Sequence, residues 1–170
     1  TLLQMAGGNL FALLLMTGMA AMVLGLGVST TPTYIIVVIL LAPALIQAGM
    51  IPLSAHMFVL YYAVLGFLTP PEMMAVYTAA TIAHSDPMKT AWQSMRLGIA
   101  AYLVPFVFAF DSSLLLQGSP ADIVPSAILA IVGMIVLSAG IEGCLFRHLN
   151  WVKRVLFIAG AVGLLTPLWV

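Results

Sequence analysis

The stretch Gly66-Phe67-Leu68-Thr69-Pro70-Pro71 interrupts a long apolar segment that runs from Leu53 to Thr81. Adjacent prolines lack backbone amide donors, and each restricts the residue before it, so a helix through this segment should unwind here. We expect the unwinding to leave backbone carbonyls between Gly66 and Thr69 without helical partners. A simple proline kink is the alternative, because membrane helices tolerate prolines.

The composition of the chain indicates a membrane protein. Of its 170 residues, 64% are hydrophobic and 6% are charged, and the mean hydropathy is +1.21. A soluble domain carries about 25% charged residues, so this chain cannot cover a surface that faces water. A full helical span needs roughly 20 apolar residues, and shorter runs indicate shorter elements. Apolar runs recur along the chain: Asn9 to Val28, Tyr34 to Ala48, Leu97 to Phe110, Ile123 to Ile141 and Val155 to Val170. We predict an all-α, polytopic membrane protein.

Several other classes are excluded. The first apolar run lacks the basic region of a secretory signal, and further apolar segments follow it. Cys144 is the only cysteine, so this chain forms no intrachain disulfide. The net charge is zero, and no basic patch for nucleic acid is present. Because the chain begins at Thr1 and ends inside an apolar run at Val170, we expect it to be part of a longer protein.

The few charged residues cluster between the apolar runs and predict an orientation. The segment near residues 84–96 is basic, the next one, from Asp111 to Asp122, has no basic residue, and the segment near 146–154 is basic again. The positive-inside rule places the first and third of these loops in the cytoplasm and the middle one outside.

The pattern of the N-terminal third predicts two apolar arms, about 9–25 and 34–48, on either side of a tip at 25–33. The arms are either two full spans joined by a cytoplasmic turn or a re-entrant hairpin. The tip carries no charge and the second arm is short for a span, so we favour the hairpin. We therefore divide the chain into a hairpin region at 1–52, a broken transmembrane helix at 53–84 and C-terminal transmembrane helices at 85–170.

The tip, Gly25-Leu26-Gly27-Val28-Ser29-Thr30-Thr31-Pro32-Thr33, offers glycines, hydroxyls and a proline. Irregular backbone at membrane depth is tolerated only when it is buried in protein or lines a wet cavity. Freed carbonyls there suit sodium, and a helix N-terminus after the tip suits an anionic group of a substrate. An ordinary turn at the membrane interface explains the same residues equally well.

Glu72 follows the prolines, and an ionisable group within a membrane segment is a functional hypothesis by default. It either accepts a proton or neutralises an ion, or it caps the second half-helix at its N-terminus, and we favour the cap. The histidines, His56, His84 and His148, show no metal-ligand spacing, and no nucleophile–base arrangement is visible. We expect no enzymatic activity.

In these motifs the chain resembles the permease of the tripartite ATP-independent periplasmic (TRAP) transporters, in particular the fused branch that works with TAXI-type solute-binding proteins. The stretches that carry the likeness are Leu24-Gly25-Leu26-Gly27-Val28-Ser29-Thr30-Thr31, Leu41-Ala42-Pro43-Ala44-Leu45, Ala55-His56-Met57-Phe58, Gly66-Phe67-Leu68-Thr69-Pro70-Pro71, Asp86-Pro87-Met88-Lys89-Thr90-Ala91-Trp92, Arg96-Leu97 and Val104-Pro105-Phe106. The chain departs from the family at Ser29, where proline is frequent, and at Glu72, where an apolar residue is frequent.

The resemblance implies a sodium-coupled importer of small organic acids in the bacterial inner membrane, with an elevator-type mechanism. It implies one half of an ion-transporter-superfamily-like site, with a TAXI-type periplasmic binding protein and the rest of the permease, including small-subunit-like helices, as partners. Sodium is the coupling ion, and no other cofactor is expected. A non-transporting membrane scaffold or assembly subunit is the alternative.

The resemblance also implies roles for single residues. The implied sodium ligands, mainly through backbone carbonyls, are Gly25, Gly27, Thr30, Gly66 and Thr69. The implied contacts with a substrate carboxylate are Thr30, Thr31 and Thr33. Glu72 remains a possible coupling residue.

Overall fold

The computed structural model describes residues 6–25, 30–145 and 148–165, and these residues are helical or lie in turns and loops. The α-helices are α1 (Leu10–Leu24), α2 (Thr30–Gln47), α3 (Pro52–Leu65), α4 (Met74–Ile82), α5 (Pro87–Leu97), α6 (Ile99–Phe110), α7 (Pro120–Glu142) and α8 (Trp151–Leu165). Short 3-10 turns follow α3 at Gly66–Leu68 and α6 at Ser112–Leu115. No strand occurs in this part of the chain, which confirms the prediction of an all-α fold.

One described helix, α7, is by itself long and apolar enough to cross a membrane. A second such span exists if α5 and α6 form one broken span. Helices α1, α2 and α3 are apolar but shorter than a full span. The fold is thus consistent with a membrane protein, whereas the re-entrant path of the hairpin stays a prediction.

The chain divides into two compact units, Thr1–Met95 and Arg96–Val170. In the first unit, α1, α2 and α3 pack on one another. Their fully buried side chains are mostly apolar, and the largest of these are Leu13, Leu14, Val37, Leu45, Phe58 and Val59. Gly18 lets α1 approach α3 closely, because a Cβ at this position would lie 3.1 Å from the ring of Tyr62.

The predicted interruption of the helix at Gly66–Pro71 is confirmed. Helix α3 ends at Leu65, a 3-10 turn covers Gly66–Leu68, and α4 begins only at Met74. The chain reverses its local twist at Met73, whose φ of 25° is unusual for a residue with a side chain. The paired prolines, which lack amide donors, account for the gap between the two helices.

The second arm of the hairpin begins one turn earlier than predicted. Helix α2 starts at Thr30 rather than near Tyr34, so Thr30 to Thr33 belong to its first turn and not to the tip loop. Pro32 does not prevent this, because the first-turn amides of a helix have no intrahelical partners and a proline there loses nothing. Gly27 and Ser29, which were predicted to lie in the tip, fall outside the described residues.

The second unit is dominated by a helical hairpin of α7 and α8. Glycines on α7 allow close packing: a Cβ at Gly140 would lie 3.0 Å from Ile158 and 3.1 Å from Phe157. The predicted basic loop near 146–154 is shorter than expected, because α8 already begins at Trp151. Arg147 of this loop lies outside the described residues.

Candidate functional site

The break between α3 and α4 is held by its own backbone and by Thr69. The Thr69 hydroxyl donates to the Leu65 carbonyl at 2.8 Å. The Gly66 carbonyl accepts hydrogen bonds from the amides of Thr69 at 3.1 Å and of Met73 at 3.2 Å. The expectation that the carbonyls between Gly66 and Thr69 lack partners is therefore wrong for Gly66, and for Thr69, whose carbonyl accepts from Met73. Each carbonyl oxygen has two lone pairs, so the Gly66 carbonyl is fully engaged by these two amides, and a cation at this carbonyl would replace one of them.

Glu72 does not cap the second half-helix. The N-cap of α4 is Met73, no side-chain hydrogen bond caps this helix, and its first turn holds no acidic residue. The carboxylate lies instead against the end of α3, since its Oε2 atom is 2.5 Å from the position that a Cβ of Gly66 would occupy. The favoured interpretation of Glu72 as a cap is wrong, because this side chain lies against Gly66 and Met73 is the N-cap of α4.

The break opens on a small cleft. The cleft has a volume of about 240 Å³ and is lined by Gly66, Thr69 and both prolines of the break, and by Met19, Met22 and Val23 of α1. The structure therefore brings the broken helix and the first arm of the hairpin together around one space. Its lining side chains are mostly apolar, and its polar atoms come from Thr69 and from the backbone.

The tip begins two residues after Val23, the last residue of α1 that lines the cleft. Gly25 ends α1 with its amide bonded to the Ala21 carbonyl at 3.0 Å. Thr33 is 1% exposed, and its methyl group would lie 3.2 Å from a Cβ at Gly25, so these two residues bring the arms into contact. Thr31 is exposed on the first turn of α2. For Thr30 the structure describes the helical backbone position alone.

The structure also shows residues that the sequence did not point to. Met19, Met22 and Val23 line the cleft, but α1 is apolar on every face, so its sequence pattern does not separate cleft residues from lipid-facing ones. Tyr34 and His56 form a hydrogen bond of 3.0 Å between α2 and α3. Spacing along the chain gave no signal for this pair, because the two residues belong to different helices.

The available donors decide which cation this region suits. Among the described residues, no group of three or more His, Cys, Asp or Glu side chains is placed to hold a metal ion. The break offers carbonyl oxygens, the Thr69 hydroxyl and the Glu72 carboxylate, which are all oxygen donors. Hard cations prefer oxygen ligands, and carbonyl ends of half-helices bind sodium in secondary transporters. The residues present therefore fit sodium better than a transition metal.

Comparison with known proteins agrees with this architecture. No curated protein and no solved structure matches the chain. The sequence does match the family described as tripartite ATP-independent periplasmic transporter, DctM component, over residues 1–123. The matched region contains both arms of the hairpin, the break and α4 to α6, and it covers well over half of the 170 residues. This chain therefore belongs to the DctM family, the permease component of tripartite ATP-independent periplasmic transporters, and is a membrane transport protein.

Proposed function

We propose that this chain forms part of a sodium-coupled permease that imports a small organic acid delivered by a TAXI-type periplasmic binding protein. The family supports the coarse part of this proposal, since DctM components work with a periplasmic solute-binding protein and a small membrane component. One structural observation supports a binding site in this part of the chain: a helix broken at Gly66–Met73 faces the first arm of a helical hairpin across a cleft. Broken helices of this kind form the ion and substrate sites of secondary transporters.

The residues divide into two groups in this proposal. Sodium binds through oxygen atoms of Gly66 and Thr69 at the break, together with Gly25, Gly27 and Thr30 at the tip. The first turn of α2 presents backbone amides, which favour a substrate carboxylate, and Thr30 and Thr31 add hydroxyls. Thr33 is buried against Gly25, so we assign its side chain to holding the tip in place.

Coupling follows in this proposal because Thr30 belongs to both groups, the sodium ligands and the substrate contacts. A sodium ion that holds the tip against the break pre-forms the site for the acid and raises its affinity. By linkage, the acid then raises the affinity for sodium by the same factor. Movement of the hairpin and broken helix together as one elevator body completes the proposed transport cycle.

The test is uptake by the complete permease in proteoliposomes with its binding protein, a panel of small organic acids, and sodium gradients imposed or omitted. We expect uptake that requires both sodium and the binding protein. Thr69→Ala and Thr30→Ala should each lower sodium-dependent uptake about tenfold or more, as expected for a lost ligand in a desolvated site. Thr78→Ala is the matched control, because the Thr78 hydroxyl also bonds a carbonyl one turn earlier, that of Met74, at 3.1 Å but on the exposed side of α4.

The same experiment contains the result that would refute the proposal. If Thr69→Ala and Thr30→Ala transport as well as the wild type, the site is misplaced. If a folded permease shows no sodium-dependent step with any acid, and the substitutions change only the stability of the assembled complex, the chain is a scaffold and not a transporter.

A further inference from the structure

We propose that Tyr34 and His56 are a positioning pair, which holds the first turn of α2 in the place where the proposed function needs it. The Tyr34 hydroxyl and the His56 Nδ1 atom form a hydrogen bond of 3.0 Å between α2 and α3. This inference rests on the proposed function, because that function assigns a sodium ligand and the substrate contacts to this first turn. Neither residue of the pair touches the ion or the acid, and both act through the backbone of α2.

Tyr34 lies directly after the turn that the pair holds. Helix α2 begins at Thr30, and its first turn runs to Thr33. Thr31 is exposed, whereas Thr33 is buried against Gly25, at the end of α1. Thr33 therefore connects the turn to α1, and Tyr34 connects it to α3. Two adjacent residues thus hold the start of α2 from two different helices.

The packing of α2 further along the chain fixes its first turn less strictly. The buried apolar side chains of this helix are Val37, Leu41, Ala42 and Leu45. Apolar contacts have no preferred direction, so they define the position of a helix along its axis less strictly than a hydrogen bond does. Pro43 lies inside α2 and lacks the amide that would bond the carbonyl one turn earlier, so the two halves of the helix are joined less firmly. A directional contact at the start of the helix compensates for both weaknesses.

The contact between Tyr34 and His56 is directional in two ways. A hydrogen bond is strong only near its preferred distance and angle. The two rings also meet edge to face, with their centroids 6.4 Å apart and their planes inclined by 61°. A tyrosine hydroxyl can donate and accept, and neutral imidazole has one donor and one acceptor nitrogen, so the bond forms with either tautomer of His56. The pair therefore restrains both the distance between the two helices and their relative rotation.

The same hydrogen bond should contribute little to overall stability. Hydrogen bonds between the helices of membrane proteins are weak on average, because the side chains find other partners when the helices are apart. Loss of the bond should leave the fold intact, while the first turn of α2 occupies its binding position for a smaller fraction of the time. The apparent affinity for a ligand falls in proportion to that fraction. Ligand affinity and stability therefore distinguish a positioning pair from a structural one.

The experiment measures the melting temperature of the complete, purified permease during titration with sodium chloride, against choline chloride. One titration gives both the stability without sodium and the apparent dissociation constant for sodium. Tyr34→Phe removes the hydroxyl and keeps the ring, and it should raise this dissociation constant about fivefold, as expected for the loss of one hydrogen bond. The melting temperature without sodium should fall by a few degrees at most.

Further variants test whether the hydrogen bond itself causes the effect. His56→Leu should weaken sodium binding by the same factor, and its combination with Tyr34→Phe should bind sodium no more weakly than either single variant, because both substitutions remove one shared bond. His56→Asn should bind sodium nearly as tightly as the wild type, since the polar atoms of asparagine are attached to Cγ, as Nδ1 is in histidine. Tyr77→Phe, which removes the hydroxyl of an exposed tyrosine on α4, is the matched control and should leave sodium binding unchanged.

The outcomes separate this inference from the proposed function. If Tyr34→Phe binds sodium as tightly as the wild type, or if His56→Asn binds it as weakly as Tyr34→Phe, the pair does not position the site, whereas sodium-coupled import still stands. A lower melting temperature with an unchanged dissociation constant would assign the pair a structural role alone. Should His56→Leu fail to fold, Tyr34→Phe and His56→Asn still decide the question. If the wild type shows no stabilisation by sodium and no sodium-dependent uptake, the proposed function itself fails.

Discussion

Asp111 ends α6 and organises the turn that follows it. Its Oδ1 atom accepts hydrogen bonds from the Ser113 amide at 3.0 Å and from the Ser113 hydroxyl at 2.6 Å. Partial burial raises the pKa of this carboxyl, but the hydrogen bonds from the Ser113 and Ser126 side chains and from the Ser113 amide outweigh burial, so the pKa lies below its ordinary value. The charged form of Asp111 therefore holds the turn between α6 and α7.

The lowered pKa predicts a dependence of stability on pH. An acid whose pKa is lower in the folded state stabilises the fold above its unfolded pKa, about 3.9, and loses this contribution as pH falls through the folded-state pKa. Asp111→Asn should destabilise the protein by about 1 kcal/mol at pH 7. The difference from the wild type should shrink as the pH falls below about 4. Thermal unfolding in detergent across this range is the measurement, and a difference that stays constant with pH would contradict the assignment.

Thr17 is the buried polar side chain of α1 that the fold leaves unsatisfied. It is 0% exposed, and its hydroxyl has no hydrogen-bond partner among the described residues. Replacing such a hydroxyl by a methyl group of the same shape removes a desolvation penalty. Thr17→Val should therefore stabilise the permease by about 1 kcal/mol. Thr69→Val is the contrasting variant, because it loses the 2.8 Å bond to the Leu65 carbonyl and should be less stable than the wild type. Equal melting temperatures for the two variants would refute this account.

At the scale of the helices, the sequence predicted the break between α3 and α4 but not the position of the Glu72 side chain beside it. Paired prolines lack amides wherever the chain goes, so the gap between α3 and α4 follows from local chemistry. The contact of the Glu72 carboxylate with Gly66 is a contact between residues six positions apart, and no residue type in the motif predicts it. The start of α2 was predicted too late in the chain. Pro32 was taken to mark the boundary of the helix, whereas a proline is compatible with the first turn, where Pro32 lies.

The contact between α7 and α8 depends on a small residue at one position. A Cβ at Gly140 would lie 3.0 Å from Ile158, 3.1 Å from Phe157 and 3.3 Å from the backbone carbonyl of Arg154, whereas a Cβ at Gly160 would meet nothing within 4 Å. Gly140→Ala should destabilise the protein by about 1–3 kcal/mol, because the backbone of α8 has to move.

Gly160→Ala is the matched control for this helix pair. Alanine is favoured over glycine inside a helix by roughly 0.5–1 kcal/mol, so this variant should be neutral or more stable than the wild type. The measurement is thermal unfolding of both variants in the same detergent. If Gly140→Ala is as stable as Gly160→Ala, close packing of the two helices is not what selects glycine at position 140.

For the whole molecule, the family match and the charge pattern give different kinds of information. The match extends to residue 123, and thus includes the hairpin, the break and the turn at Asp111, but not α8. The family match shows that the chain is a component of a membrane transporter, but it does not predict how the chain is oriented in the membrane. Orientation is predicted from five Lys and Arg residues, which follow the positive-inside rule. Two of the basic residues also have structural partners: Arg154 donates to the Ile141 carbonyl at 2.6 Å, and Arg96 pairs with Glu142. Arg96 and Arg154 thus bind groups at the C-terminal end of α7, in addition to predicting the orientation of the chain.

The predicted orientation can be tested through Cys144, the single cysteine of this sequence, which is exposed beside the basic segment near 146–154. In a permease with Cys144 as its only cysteine, a membrane-impermeant maleimide should label inside-out vesicles and leave intact cells unlabelled. Moving the cysteine to the middle loop, by Cys144→Ser together with Gln117→Cys, should reverse this pattern, because α7 alone is long enough to separate the two sites across a bilayer. Labelling of both positions from the same side would show that α7 does not cross the membrane, and the orientation drawn from the basic residues would fall with it.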